Sequence, residues 1–209
     1  MKAILLFFGV ILIIVLITVF AGIGSYNGLV GSSQAVDSQW AQVQNVYQRR
    51  ADLIPNLVQT VQGAANFEKS TLEDITTARA SVGQVKIDPS KAPADPQQLQ
   101  QFEAAQGQLG NALSRLLVVS ERYPDLKSNQ NFLSLQAQLE GSENRIAVER
   151  DKFNQATQDY DTRIARFPTV IFARMFGFNS KPYFAAAPSA ATPPSVQFNF
   201  GNTAPTTAH

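Results

Sequence analysis

Two charged clusters carry whatever side-chain chemistry this chain could perform. Arg49, Arg50 and Asp52 come first, with Pro55 and Asn56 just behind them. Glu143, Asn144 and Arg145 come much later, followed by Glu149 and Arg150. Two neighbouring carboxylates can divide the work of a general acid and a general base. That work needs company which the sequence does not supply. The single His is His209, so neither a Ser-His-Asp arrangement nor a His-based zinc site can form in the body of the fold. With no Cys there is no disulfide, no thiolate metal site and no Cys nucleophile. Neither common glycine-rich phosphate loop occurs. No catalytic set, no metal and no cofactor is therefore expected. The charges read either as an interhelical salt bridge that fixes register or as a polar site for a partner. A charge buried alone costs several kcal/mol or more, so any of these that is buried needs a partner.

The elements that must position them are helices. Val36, Trp40, Val43, Tyr47, Ala51, Ile54, Val58, Val61 and Ala65 follow one another by three or four residues, the seam of an amphipathic helix. Pro55 lies inside that run and predicts a kink rather than an end, because the period continues past it. Ser70-Thr71-Leu72-Glu73 reads as a capping box opening a second helix, with Leu72, Ile75 and Val82 on its apolar side. Pro89, Pro93 and Pro96 mark residues 85–96 as a loop. Asp95 can cap a third helix with Pro96 at its first position, and Leu99, Phe102, Leu109, Leu113, Leu116, Val119 and Ser120 form its stripe. The fourth and longest helix carries Phe132, Leu135, Leu139, Ser142, Ile146, Glu149, Phe153, Ala156, Tyr160, Ile164 and Phe167, and Pro168 stops it. No strand-like alternation of useful length appears before the tail. The expected class is all-α: an N-terminal transmembrane helix followed by an elongated antiparallel four-helix bundle.

Residues 3–24 are apolar and uncharged. About 20 such residues in a helix cross a hydrocarbon core roughly 30 Å thick. The run is longer than the about 7–15 apolar residues of a cleaved signal. Lys2 precedes it, and the first basic residues after it are Arg49 and Arg50, which favours a cytoplasmic N-terminus with the bundle outside. The expected setting is single-pass in a membrane, with the lipid bilayer as first partner. Gly24, Gly28 and Gly31 read as a flexible hinge at the membrane exit, with small-xxx-small helix packing by Gly24 and Gly28 as the alternative. Residues 167–184 are rich in aromatic and basic side chains. They suit either a membrane interface or a cover over the end of the bundle. Residues 185–209 are mostly Ala, Pro, Ser, Thr and Asn with almost no charge and are expected to be disordered. Seventeen basic against 16 acidic residues, without basic clustering, makes nucleic acid an unexpected partner.

If the first helix leaves the membrane and the fourth returns to it, their charges can meet. Glu149 lies 18 residues before Phe167, roughly 27 Å along a helix. A similar climb from Asn27 reaches residues 45–51, so Arg50 and Glu149 are expected at one height.

The residues also resemble a known family. Tyr26-Asn27-Gly28-Leu29-Val30, Arg49-Arg50-Ala51-Asp52-Leu53-Ile54-Pro55-Asn56, Tyr123-Pro124-Asp125-Leu126-Lys127 and Glu143-Asn144-Arg145-Ile146-Ala147 look like motifs of LemA family proteins. So do Phe153-Asn154, Phe167-Pro168 and Gly177-Phe178; Asp161 after Tyr160 departs from the usual Asn. The resemblance implies a bacterial single-pass membrane protein with a long-helix bundle. Its domains would be an anchor at 1–25, the bundle at 26–184 and a tail at 185–209. The expected function is that of a non-enzymatic scaffold that self-associates and organises or shapes a membrane. The alternative is an adaptor that docks a membrane protease or signalling partner through residues 49–56.

Overall fold

The computed structural model describes residues 2–63 and 67–185. The expected disordered tail lies, apart from Ala185, outside the described residues. The fold is all-α, with six helices and no strand among the described residues. They are α1 (Lys2–Gln62), α2 (Lys69–Gln84), α3 (Pro96–Ser120), α4 (Pro124–Lys127), α5 (Gln130–Ala165) and α6 (Thr169–Phe176).

α1 is one uninterrupted helix of 61 residues, about 90 Å long. The hinge expected at residues 24–31 is not there. Glycine in a helix costs roughly 0.5–1 kcal/mol, but here it admits close neighbours. A Cβ on Gly22 would lie 3.1 Å from the Phe172 ring, and one on Gly28 3.0 Å from the Arg163 guanidinium. Gly24 has nothing near it, so of the two glycines in the alternative reading only Gly28 meets a neighbour, and Gly22 is the other close approach. The helix also passes through Pro55 without ending.

The two halves of α1 differ in surroundings. The N-terminal half holds an apolar stretch long enough to cross a membrane, and none of that stretch is buried in the protein. The rest buries Leu29, Val36, Trp40, Val43, Tyr47, Arg50, Ile54, Leu57 and Val61. The seam runs through Arg50 and Leu57, where the apolar pattern had suggested Ala51 and Val58. A charged residue sits on the buried face, and hydrophobicity alone steers around it.

α5 runs antiparallel to α1 as its main partner, from Arg163 against Gly28 to Glu143 against Arg50. α2 and α3 form a second pair, joined by Arg115 and Asp74 at 2.9 Å. α3 follows the direction of α1: Phe102 meets Trp40 and Tyr47, and Gln106 meets Arg50. Asp95 caps α3 as expected, accepting from the Gln97 amide, and all the residues of its predicted stripe are buried. The capping box at Ser70 does not form. α2 starts at Lys69 with Glu68 at its cap and no side-chain cap bond. Glu73 turns to Lys69, and Glu68 is drawn across to Arg122 at 3.1 Å. Thr71, Ile75 and Ala78 consequently face inward, with Leu72 and Val82 at the edge.

Two apolar cores result. One gathers Ile54, Leu57, Val61, Ile75, Leu109, Leu116 and Phe132. The other is aromatic, with Trp40 against Phe102, Phe153 and Phe184. Residues 167–184 divide between the two expectations for them. α6 packs against α1 at Gly22, while residues 178–185 turn back along the bundle. Gly177 makes that turn in the left-handed region at φ 75°, with the Phe178 amide donating to the Ala173 carbonyl at 2.9 Å. Phe167, expected on the seam, is 81% exposed. The aromatic core gives a direct test: Trp40 is fully buried, so Trp40→Ala is expected to cost about 3–5 kcal/mol in denaturant unfolding of the detergent-solubilised chain.

Candidate functional site

A polar layer separates the two cores. Arg50 lies between Tyr47 and Ile54 on α1, Gln106 between Phe102 and Leu109 on α3, and Glu143 between Leu139 and Ile146 on α5. Arg50 is only 3% exposed. Its Nη1 donates to Glu143 Oε1 at 2.6 Å, and its Nη2 donates to the Gln106 backbone carbonyl at 3.2 Å and to Gln106 Oε1. Its Nε, also buried, has no partner. The guanidinium lies 5.2 Å from the centre of the Tyr47 ring. Burial pushes the Tyr47 phenol above its ordinary pKa, and the positive charges of Arg150 and Arg50 pull it back in part.

Arg50 therefore pairs with Glu143 and not with the expected Glu149. The helix register is the reason. Between the Gly28–Arg163 and Arg50–Glu143 contacts, α1 advances 22 residues (28 to 50) while α5 retreats 20 (163 to 143). On that register Glu149 stands near residue 44, roughly 9 Å below Arg50. Glu149 instead accepts from Lys152 on its own helix at 2.9 Å.

The other predicted residues are spread over the surface. Arg49 and Asp52 are exposed, and Asp52 accepts from Gln48 one turn away at 2.7 Å. Pro55 is half-buried. Asn56 is exposed and lines a groove of about 330 Å³ with Gln59, Thr60, Ser134 and Gln138. Asn144 and Arg145 face solvent. Of the nine predicted residues, the structure brings together only Arg50 and Glu143. Among the described residues no group of His, Asp or Glu converges in a way that could hold a metal ion.

A second constellation lies where α6 meets α1. On one side Thr18, Val19, Gly22, Tyr26, Phe172 and Phe176 enclose a wholly apolar groove of about 490 Å³. On the other, Gly24, Ser25, Gly28, Arg163, Arg166 and Thr169 line one of about the same volume.

The LemA family model matches residues 39–198, most of the chain and nearly all of the bundle. The chain belongs to the LemA family. It is 27% identical over 183 residues to magnetosome protein MamQ 2 of Paramagnetospirillum magneticum, covering 80% of this chain and 67% of that protein. It is 28% identical to magnetosome protein MamQ of Magnetospirillum gryphiswaldense, with the same coverage. To protein LemA of Metamycoplasma hominis it is 23% identical over 169 residues, covering 80% of this chain and 72% of that one.

The LemA match includes contacts that charge clustering did not reveal. Gln106 is one, because a glutamine among many carries no periodic signal. The segment that returns after α6 is another. Phe184 stacks on Trp40, its amide donates to Asn154 Oδ1 at 2.9 Å, and its carbonyl accepts from Asn154 Nδ2 at 3.1 Å. Arg150 lies over the same ring at 4.6 Å and bridges to Glu103 of α3 at 2.6 Å. Lys181 donates to Asp37 at 2.8 Å. The Phe153-Asn154 and Gly177-Phe178 motifs, and the reading of residues 167–184 as a cover over the bundle, were the visible signs of this arrangement.

Two tests follow from these contacts. Glu143 is 52% exposed and can turn to water when its partner is lost, whereas Arg50 cannot. Arg50→Met is thus expected to change stability by less than about 1 kcal/mol and Glu143→Ala to cost about 2 kcal/mol, with Glu149→Ala within about 0.5 kcal/mol. Equal costs in denaturant unfolding would reject the asymmetry. Burial also raises the Glu103 carboxyl above its ordinary pKa of 4.5, against the pull of Arg150. The folded state then binds more protons than the unfolded state just above pH 4.5, so stability falls as pH rises through that window. Glu103→Gln is expected to remove that slope from a plot of unfolding free energy against pH.

Proposed function

We propose that this LemA-family chain is a non-enzymatic, membrane-anchored helical scaffold that self-associates to organise or shape a membrane assembly. Its setting in this reading is a bacterial cytoplasmic membrane, with the N-terminus inside and the bundle outside. The observation that carries the proposal is the unbroken α1. One helix holds an exposed apolar half and a half built into the bundle core. A stalk of this kind carries force and orientation between bilayer and bundle, because no joint interrupts it. Relatives named as magnetosome proteins favour an assembly at a membrane. The full-length chain in detergent is expected to sediment as more than one copy, and a strict monomer at every concentration would overturn the scaffold.

The polar groove beside Asn56 favours a second reading, an adaptor that docks a membrane protease or signalling partner there. A photo-crosslinker at Asn56 would then trap a different protein, where the scaffold reading has it trap a second copy or nothing.

A further inference from the structure

We propose that α6 lies in the plane of the bilayer surface, and that the Arg163–Arg166 groove beside it binds the phosphate of an anionic phospholipid headgroup. This rests on the reading that α1 spans the membrane.

Position is the first argument. α6 crosses α1 at Gly22, within the last turns of the apolar run, whose outer residues remain exposed as far as Ile23. If α1 spans, α6 stands at the boundary between hydrocarbon and headgroups. Its outward face is the second. Ile171 and Met175, one turn apart on α6, are 56% and 64% exposed, and Phe167 just before the helix is 81% exposed, so an apolar stripe at this end of the fold is left uncovered. That stripe continues the exposed apolar surface of α1. A helix with such a face settles into the interface of a bilayer and removes the stripe from water.

Charge is the third argument. Arg163, Arg166 and Arg174 are exposed around this elbow. Arg163 Nη1 donates to the Gly28 carbonyl at 2.7 Å, which holds its guanidinium against α1. Arg166 and Arg174 form no ion pair among the described residues. Asp161, the nearest acid along α5, is occupied by the Lys181 amide and the Tyr183 hydroxyl. Gly24 and Gly28 keep the groove floor low, and Ser25 and Thr169 add hydroxyls to its wall. Paired guanidinium forks beside small residues fit a phosphate, which they can hold through two hydrogen bonds each.

The chain has no Cys, so single Cys variants can carry a nitroxide without other changes. Full-length protein is reconstituted into phosphatidylcholine vesicles with and without phosphatidylglycerol. Labels at Ile171→Cys and Met175→Cys are expected to relax more with oxygen than with a water-soluble nickel chelate. A label at Ile13→Cys reports the span, and one at Val118→Cys reports water. Ile13 in lipid with Ile171 in water would overturn the in-plane helix and leave the span standing. Ile13 in water would overturn the span itself and this proposal with it. For the headgroup, phosphatidylglycerol is expected to raise the Tm of the detergent-solubilised chain by about 2–4 °C over phosphatidylcholine. Arg166→Gln should lower that gain, and Arg163→Gln/Arg166→Gln should abolish it. An equal rise with inorganic phosphate alone would mean a free-anion site and overturn the lipid assignment. A full gain retained in Arg166→Gln would overturn the groove.

Discussion

One constraint governs the molecule: α1 must serve two environments without a break. A helix turns about 100° per residue, so the face it buries at one height fixes the face it presents at every other. Gly22, Leu29, Val36, Val43, Arg50 and Leu57 recur every seven residues on the buried side of α1, with Trp40, Tyr47 and Ile54 between them and Val61 beyond. A seven-residue repeat keeps one stripe facing its partners over a long distance. It runs from the bundle core at Leu57 down to Gly22, where α6 docks. The orientation of α6 about the rod is therefore set by packing far above it.

Arg50 occupies one of those seven-residue positions, where its neighbours in the repeat are apolar. A buried guanidinium is seldom the most stable filling of such a place. What it supplies is register. A slip of α5 by one turn in either direction would move Glu143 roughly 5 Å away and leave a charge among apolar side chains. An apolar residue at position 50 would tolerate that slip far better. Glu143 does its part from a half-exposed position at the edge of the layer, so only one of the two charges bears a heavy desolvation cost. The layer thus sets a single alignment for the aliphatic core on one side of it and the aromatic core on the other.

Helical class, the apolar first half of α1, the cap at Asp95, the stripe of α3 and nearly all of the α5 seam were legible in the sequence, because each rests on local periodicity. The polar layer was legible in kind but not in pairing. Arg50 was singled out, yet Glu149 was matched to it because the heights of two helices were counted from assumed ends. An error of six residues leaves both helices equally amphipathic, so the pattern itself cannot reveal it. The capping box at Ser70 failed for a different reason. α2 already starts at Lys69, so Ser70 lies inside the helix and cannot cap it, and the burial of Thr71, Ile75 and Ala78 fixes that start through contacts a local motif does not contain. The hinge at residues 24–31 failed most instructively, since a cluster of glycines has the same local preference whether or not something packs against it.

That last point explains the C-terminal end of the fold. A helix holding Gly22, Gly24, Gly28 and Gly31 within ten residues is weak by propensity, at roughly 0.8–1.0 kcal/mol per glycine relative to Ala. Each of the later segments touches it or its immediate continuation. Phe172 of α6 fills the space at Gly22, Arg163 at the end of α5 takes the Gly28 carbonyl, Lys181 reaches Asp37 and the Ser33 carbonyl, and Phe184 stacks on Trp40. These contacts step upward along α1 in chain order reversed by the turn at Gly177, first down to Gly22 and then back up to Trp40. They act as a splint across the weakest stretch of the rod. Gly22 and Gly28 permit the splint to lie close, and the splint braces a stretch that its glycines weaken. The continuity of α1 through this stretch is thus supported by the tertiary fold as well as by the segment that forms it.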